Sequence, residues 1–226
     1  MSTSREDWNS YWRQQESVTK AYGRIADIYR RFIIPRSLKY TLRNVVLPGS
    51  TLLHAGAGSG EIDIKLTDDW NVVSVDFSQQ AVTEHNERYA KNRQIDLISQ
   101  ADLFSLPFRD ETFEAVFNLG VMEHFTDEQI VNALREMRRV TKTRGVLVLY
   151  WPPHWGLSVI ALRIAKGVMQ LEKRRGITLH PPEINLIRSR RQCAEWMCDA
   201  GLHLEQFSFG VGDFFTHQII VARRTE

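Results

Sequence analysis

A short apolar strand, Thr51-Leu52-Leu53-His54-Ala55, runs directly into Gly56-Ala57-Gly58-Ser59-Gly60-Glu61. Glycines at alternate positions let the chain turn sharply and let a ligand approach the main chain closely. Glu61 to Leu66 then reads as a helix start, so the segment opens a strand–turn–helix unit. The alternation continues downstream. Asn71 to Val75 is a second strand ending in Asp76, and Ser78 caps a helix running to about Lys91. Asp96 to Ser99 and Phe113 to Asn118 are strands, and Asp127 to Val140 is an amphipathic helix. Gly145 to Trp151 is almost continuously apolar, as a strand buried on both faces should be. This order predicts an α/β fold: a parallel sheet with helices on both faces.

The flanks differ. Residues 5–46 read as helical, divided at Pro35, which cannot sit inside a helix without a break. LPGS, residues 47–50, is a turn. After the break WPPH, Leu157 to Leu171 carries an apolar stripe of helical period. Ser189 caps another helix, with Gln192 completing a capping box, and Gly201 ends it. His203 to Ser208 and Thr216 to Ala222 are two final strands, and the short FGVGDFF link suits an antiparallel pair. A length of 226 residues fits one domain with a cap. Two cysteines, five apart, exclude a disulfide scaffold and a cysteine-only zinc site. No apolar run approaches ~20 residues, and the polar, aromatic start is not a secretory signal. The expected location is the cytoplasm.

The net charge of +2 hides an asymmetry. Residues 1–50 carry +5, 51–150 carry −6, 151–191 carry +6 and 192–226 carry −3. An acidic middle between basic flanks can steer a cation to the centre and an anion to the edges.

Ligands of open α/β sheets bind at the carboxyl ends of the strands. The glycine turn lies there. The dinucleotide pattern has a small residue where Glu61 stands, so a pyrophosphate would meet a carboxylate; NAD and FAD are disfavoured. Asp76 ends the next strand, twenty residues after Gly56, where a carboxylate can accept from both hydroxyls of a ribose. Asp102 follows the third strand and can reach an adenine ring, with Leu103 and Phe77 as apolar walls.

With these residues in place, the chain resembles the class I S-adenosylmethionine-dependent methyltransferases of the small-molecule type, similar to the ubiquinone and menaquinone biosynthesis methyltransferases. The motifs are LLHAGAGSGE, VVSVDFS, ADLFSLPFRDETFEAVFNLGVMEHF and RGVLVLYWPP, in order across residues 51–153. AYGRIADIY (21–29) resembles the family's N-terminal helix, and WMCDAGLHLEQFSFG its last helix and sixth strand. The resemblance implies a Rossmann-like seven-stranded sheet, mostly parallel, with an antiparallel last strand. It implies one domain: cap 1–46, cofactor core 51–151, acceptor lid 152–188, and a last helix and strand pair 189–226.

It also implies S-adenosyl-L-methionine as cofactor. Gly56, Ala57, Gly58 and Gly60 would pack against its methionine part. Asp76 would hold the ribose, and Phe77, Asp102 and Leu103 would face the adenine. Asn118, Leu119 and Gly120 would contact the amino acid end, and Tyr22 would lie over the site. His54 stands where the family usually has an acid that helps order the cofactor's ammonium. A neutral imidazole can accept a hydrogen bond there; a protonated one repels. His54 therefore keeps open a non-catalytic cofactor- or partner-binding protein. Glu114 replaces a common Asp, a mild departure.

Methyl transfer is an in-line displacement, and alignment supplies much of the rate. An acceptor that loses a proton needs a base. His124, in MEHF, and His154, after the fifth strand, are the candidates; Glu123 orients or caps. His180 could line the acceptor pocket. No residues have metal-ligand spacing, so no metal is expected. Apolar residues beside Arg163, Lys166 and Lys173-Arg174-Arg175, and Arg30, Arg31, Arg36 and Lys39 beside Phe32-Ile33-Ile34, suit a lipid, isoprenoid or phosphorylated acceptor, or an anionic membrane surface. Nucleic acid is disfavoured, because no base-methyltransferase motif is present. A monomer or a homodimer is expected.

Overall fold

A computed structural model of the chain describes residues 32–89, 95–154, 156, 183–210 and 215–225. The expected helices before residue 32, with Tyr22, and the insert helix 157–171, with His180, lie outside the described residues.

Helix α1 (Ile34–Val45) starts with Pro35 in its first turn, where a missing N–H removes no helical bond. Strand β1 (Thr51–Ala55) follows the Gly49 turn. Then come β2 (Asn71–Asp76), α2 (Gln79–Tyr89), β3 (Ile95–Gln100), β4 (Phe113–Leu119), α3 (Asp127–Val140), β5 (Thr141–Trp151), α4 (Arg190–Asp199), β6 (Leu202–Ser208) and β7 (Gln218–Arg224). The seven strands order as β3-β2-β1-β4-β5-β7-β6. β1 to β5 pair in parallel, and β7 runs antiparallel to β5 and β6.

Alternate residues of β1, β2, β4, β5 and β7 feed two cores. Leu53, Val75, Val116 and Leu149 pack with Leu134 and Met137 of α3 and Met197 of α4. Leu52, Val72, Phe117 and Val148 pack with Leu38 and Leu42 of α1 and with Leu66 and Trp70. The Tyr150 hydroxyl lies 2.8 Å from Ser37 Oγ and 3.2 Å from Thr41 Oγ1, which ties α1 to β5. On the opposite face Trp151 stacks on Trp196 at 5.1 Å.

Three local expectations are corrected. Residues 61–66 form no α-helix. Bonds three residues apart, such as Asp63 N–H to Gly60 and Leu66 N–H to Asp63, wind the segment into tight turns around a 3-10 stretch at Asp63–Lys65. The buried Asp63 side chain anchors it. β5 begins at Thr141, not Gly145. The register jumps between Phe113–Thr141 and Ala115–Val146, and Glu114 pairs with Lys142 across the bulge. Finally, Ser189 caps α4 through the Gln192 N–H at 3.1 Å, but the Gln192 side chain reaches back to the Arg188 N–H. The box is displaced by one residue. Capping is complete at α3, where Thr126 and Gln129 exchange both bonds.

Candidate cofactor site

Gly56, Gly58, Gly60 and Gly120 all have φ between +56° and +80°, the left-handed region that L side chains avoid. Two of them are also required by space. A Cβ at Gly56 would come within 2.7 Å of Val121 Cγ2 and 3.2 Å of Asn118 Nδ2. A Cβ at Gly60 would fall 1.8 Å from His85 Cδ2. The glycine turn is thus clamped between the end of β4 and helix α2. The N–H groups of Gly56 and Ala57 both donate to the Val75 carbonyl at 2.9 Å.

Asp76 closes the turn on the β2 side. Its Oδ2 accepts from the Gly58 N–H and its Oδ1 from the Ser78 N–H, each at 2.8 Å. Burial pushes its carboxyl up, while the N–H groups of Ser78, Gly58 and Phe77 favour the ionised form. Asp102 opens the loop after β3, its Oδ1 accepting from the Phe104 N–H at 3.0 Å, and Leu103 is buried behind it. At the end of β4, Asn118 is buried and donates through Nδ2 to the Ala55 carbonyl. Its Oδ1 has no partner. Half-buried Leu119 follows, and the Gly120 N–H donates to Tyr150.

His54 does not stand as an isolated substitute for an acid. Its Nδ1 lies 2.6 Å from Asp63 Oδ1, and its ring stacks on Phe117 at 4.3 Å. Asp63 Oδ2 accepts from Ser74 Oγ at 2.7 Å and faces His85 Nε2 at 2.9 Å. Burial opposes ionisation of Asp63, but the two imidazoles, His54 foremost, hold its carboxyl well below the usual range. An ionised carboxylate only accepts, so His54 Nδ1 and His85 Nε2 carry protons. His54 Nε2 is buried and without a partner.

Sequence reasoning misses this network. In the linear pattern His85 is a scattered histidine and Asp63 an ordinary residue of a first helical turn. Gly60 is the available signal, because a glycine facing α2 marks a close approach.

The two candidate bases stand in different settings. His124 is fully buried in the 3-10 turn Met122–His124, beside Glu123. His154 is exposed, and its N–H donates to the Ile187 carbonyl at 3.0 Å. Burial lowers the pKa of His217 to about 4. Among the described residues, no three His, Cys, Asp or Glu are grouped to hold a metal ion. No helix among them is long and apolar enough to cross a membrane.

Residues 53–149 match a family model described as a methyltransferase domain. Over this span the chain is similar to the S-adenosylmethionine-dependent methyltransferases. Among these methyltransferases, human probable tRNA methyltransferase 9B is 34% identical over 104 residues, 46% of this chain and 21% of that protein. The 27-O-demethylrifamycin SV methyltransferase of Amycolatopsis mediterranei is 31% identical over 132 residues, 54% of this chain and 48% of its own. The chain therefore spans about a fifth to a half of these two relatives. The crystal structure of magnesium protoporphyrin IX methyltransferase from Synechocystis PCC 6803 with bound SAH shares the methyltransferase fold: TM-score 0.70 over 98% of each chain, at 19% identity.

Proposed function

We propose that this chain transfers a methyl group from S-adenosylmethionine to a small hydrophobic or anionic acceptor: a lipid, a quinone-like isoprenoid, or a phosphorylated or sugar-linked metabolite. One observation carries the reading. Four left-handed glycines, two of them without room for a Cβ, gather with the Asp76 carboxylate at the C-terminal ends of β1, β2 and β4. Such a site has bare main chain for close approach and an anion for a diol. The orphaned Asn118 Oδ1 fits a ligand that brings a donor.

When bound, S-adenosylmethionine supplies the electrophilic methyl group and a neutral thioether leaving group. Gly56, Ala57, Gly58 and Gly60 would pack the methionine part, and Asp76 would accept from the ribose hydroxyls. Phe77, Asp102 and Leu103 would border the adenine, and Asn118, Leu119 and Gly120 would hold the amino acid end. Holding the acceptor in line with the methyl group is the chain's main contribution. Exposure favours His154 over His124 as the base for an acceptor that loses a proton.

By sequence, the basic and apolar residues of the insert 152–188 suit an anionic or lipid acceptor or contact with an anionic membrane. The chain works in the cytoplasm, as a monomer or homodimer. A second reading, an RNA acceptor, is favoured by the likeness to a protein named for tRNA. Calorimetry with S-adenosylmethionine, S-adenosylhomocysteine and NADH tests the cofactor: micromolar binding of the first two and none of NADH is expected. Absence of both adenosyl ligands would turn the reading to a non-catalytic partner-binding protein. Transfer of labelled methyl to a lipid extract rather than to bulk tRNA separates the acceptors.

A further inference from the structure

S-Adenosylmethionine is cationic, and the role of Glu123 proposed below rests on its being the cofactor. Most anions around the glycine turn are already engaged. Asp63 serves His54, His85 and Ser74. Asp76 holds the N–H groups of Gly58, Phe77 and Ser78. The end of β1 carries an imidazole where it could have carried a charge.

Glu123 differs. It is 3% exposed, lies in the turn directly after β4, and its Oε2 has no hydrogen-bond partner. Its Oε1 borders the site: a Cβ at Gly120 would sit 3.4 Å away. His124 Nε2 is 3.9 Å from that oxygen, too far for a hydrogen bond. The Glu183 carboxylate faces Glu123 from the segment that rejoins the core after the insert. That segment is pinned to it, since the Ile184 and Asn185 N–H groups donate to the Glu123 carbonyl at 2.7 and 2.9 Å. Among the described residues, no lysine or arginine forms an ion pair with Glu123. Burial, reinforced by Glu183, pushes its carboxyl up to about 8. A buried acid with an unsatisfied oxygen, a like-charged neighbour and no lysine or arginine partner among the described residues is costly for a fold to keep.

We propose that Glu123 is the anionic end of an organic-cation subsite beside Gly120, filled by the cationic part of the bound cofactor. Before the cation arrives the carboxyl is protonated. When the cation docks, the O–H proton leaves to solvent and the carboxylate faces the positive charge. The cation is either the ammonium or the sulfonium, and three ligands separate them. S-Adenosylmethionine carries both charges, S-adenosylhomocysteine only the ammonium, and 5′-methylthioadenosine neither.

The test is calorimetry on the 226-residue chain at pH 7, in buffers of different ionisation enthalpy, with Glu123→Gln alongside. Wild-type chain should release close to one proton on binding the charged ligands and none with 5′-methylthioadenosine. Release with S-adenosylhomocysteine marks the ammonium; release with S-adenosylmethionine alone marks the sulfonium. Glu123→Gln should weaken the proton-releasing ligand at least tenfold, abolish the release, and bind 5′-methylthioadenosine within twofold of wild type. That last value also reports that the variant is folded. Unchanged affinities and proton counts in Glu123→Gln overturn the subsite, as does equal weakening of all three ligands. If wild type binds none of the three, the methyltransferase reading itself fails, and the subsite with it.

Discussion

His54 Nδ1 stands 2.6 Å from Asp63 Oδ1, and both side chains are shut away from water under the glycine turn. The contact joins β1 to the irregular segment that replaces a helix after it. The same carboxylate also serves His85 and Ser74. The turn is therefore braced from below by a polar network rather than by a helix packed on the sheet.

Asp63→Ala removes that brace and leaves three buried donors without an acceptor. Breaking a buried charged network in this way costs about 3–5 kcal/mol, which urea unfolding would register as a lower midpoint. The carboxyl is held below its unfolded value, so its stabilising contribution is present above roughly pH 4 and is lost as the pH falls further. The variant should lose that acid-limb slope. An unchanged slope would show that folding does not shift the Asp63 carboxyl.

Gly60→Ala places a methyl group 1.8 Å from His85 Cδ2 at a positive φ. Overpacking of this kind costs about 1–3 kcal/mol, with left-handed strain in addition. The double variant Gly60→Ala, His85→Ala opens the space again. Its destabilisation should be smaller than the sum of the two single losses, a coupling that a double-mutant cycle measures directly. Strict additivity would mean that the clash is relieved elsewhere.

Asp76→Ala should weaken S-adenosylmethionine binding at least tenfold, about 1.4 kcal/mol. Asp76 also holds the Gly58 and Ser78 N–H groups, so the melting temperature must be recorded with the affinity. Unchanged affinity in a folded variant would remove Asp76 from the ribose.

The parallel order of β1 to β5 is legible in sequence because each strand is an apolar run closed by a turn residue. Helix α3 is legible to the residue, because its amphipathic pattern runs from Asp127 to Val140, the span observed. The glycine turn and Asp76 are readable from spacing alone. The Asp63 network is not, since apart from Gly60 nothing in a linear pattern says that His54, Ser74 and His85 converge on Asp63. Residues 61–66 mislead for the same reason: their composition suits a helix, but buried Asp63 holds them in tight turns. The start of β5 is obscured by Arg144 and Gly145, which sit in a bulge rather than before the strand.

Glu123 should make the fold less stable as the pH rises. Its carboxyl is raised to about 8 in the folded chain by burial, against about 4.3 in an unfolded one. Between those values the unfolded state gives up the proton and the folded state keeps it. Fewer protons are bound on unfolding, so unfolding becomes easier with each step up in pH, by at most about 1.4 kcal/mol per unit. The loss starts near the unfolded pKa and levels off above about 8, where the folded chain also ionises. Glu123→Gln has no proton to lose and should flatten the profile from pH 5 to 8, with its melting temperature exceeding that of wild type most clearly at the alkaline end. A wild-type profile already flat over that range would mean that Glu123 ionises in the free protein, and that a counter-charge is present before any cation docks.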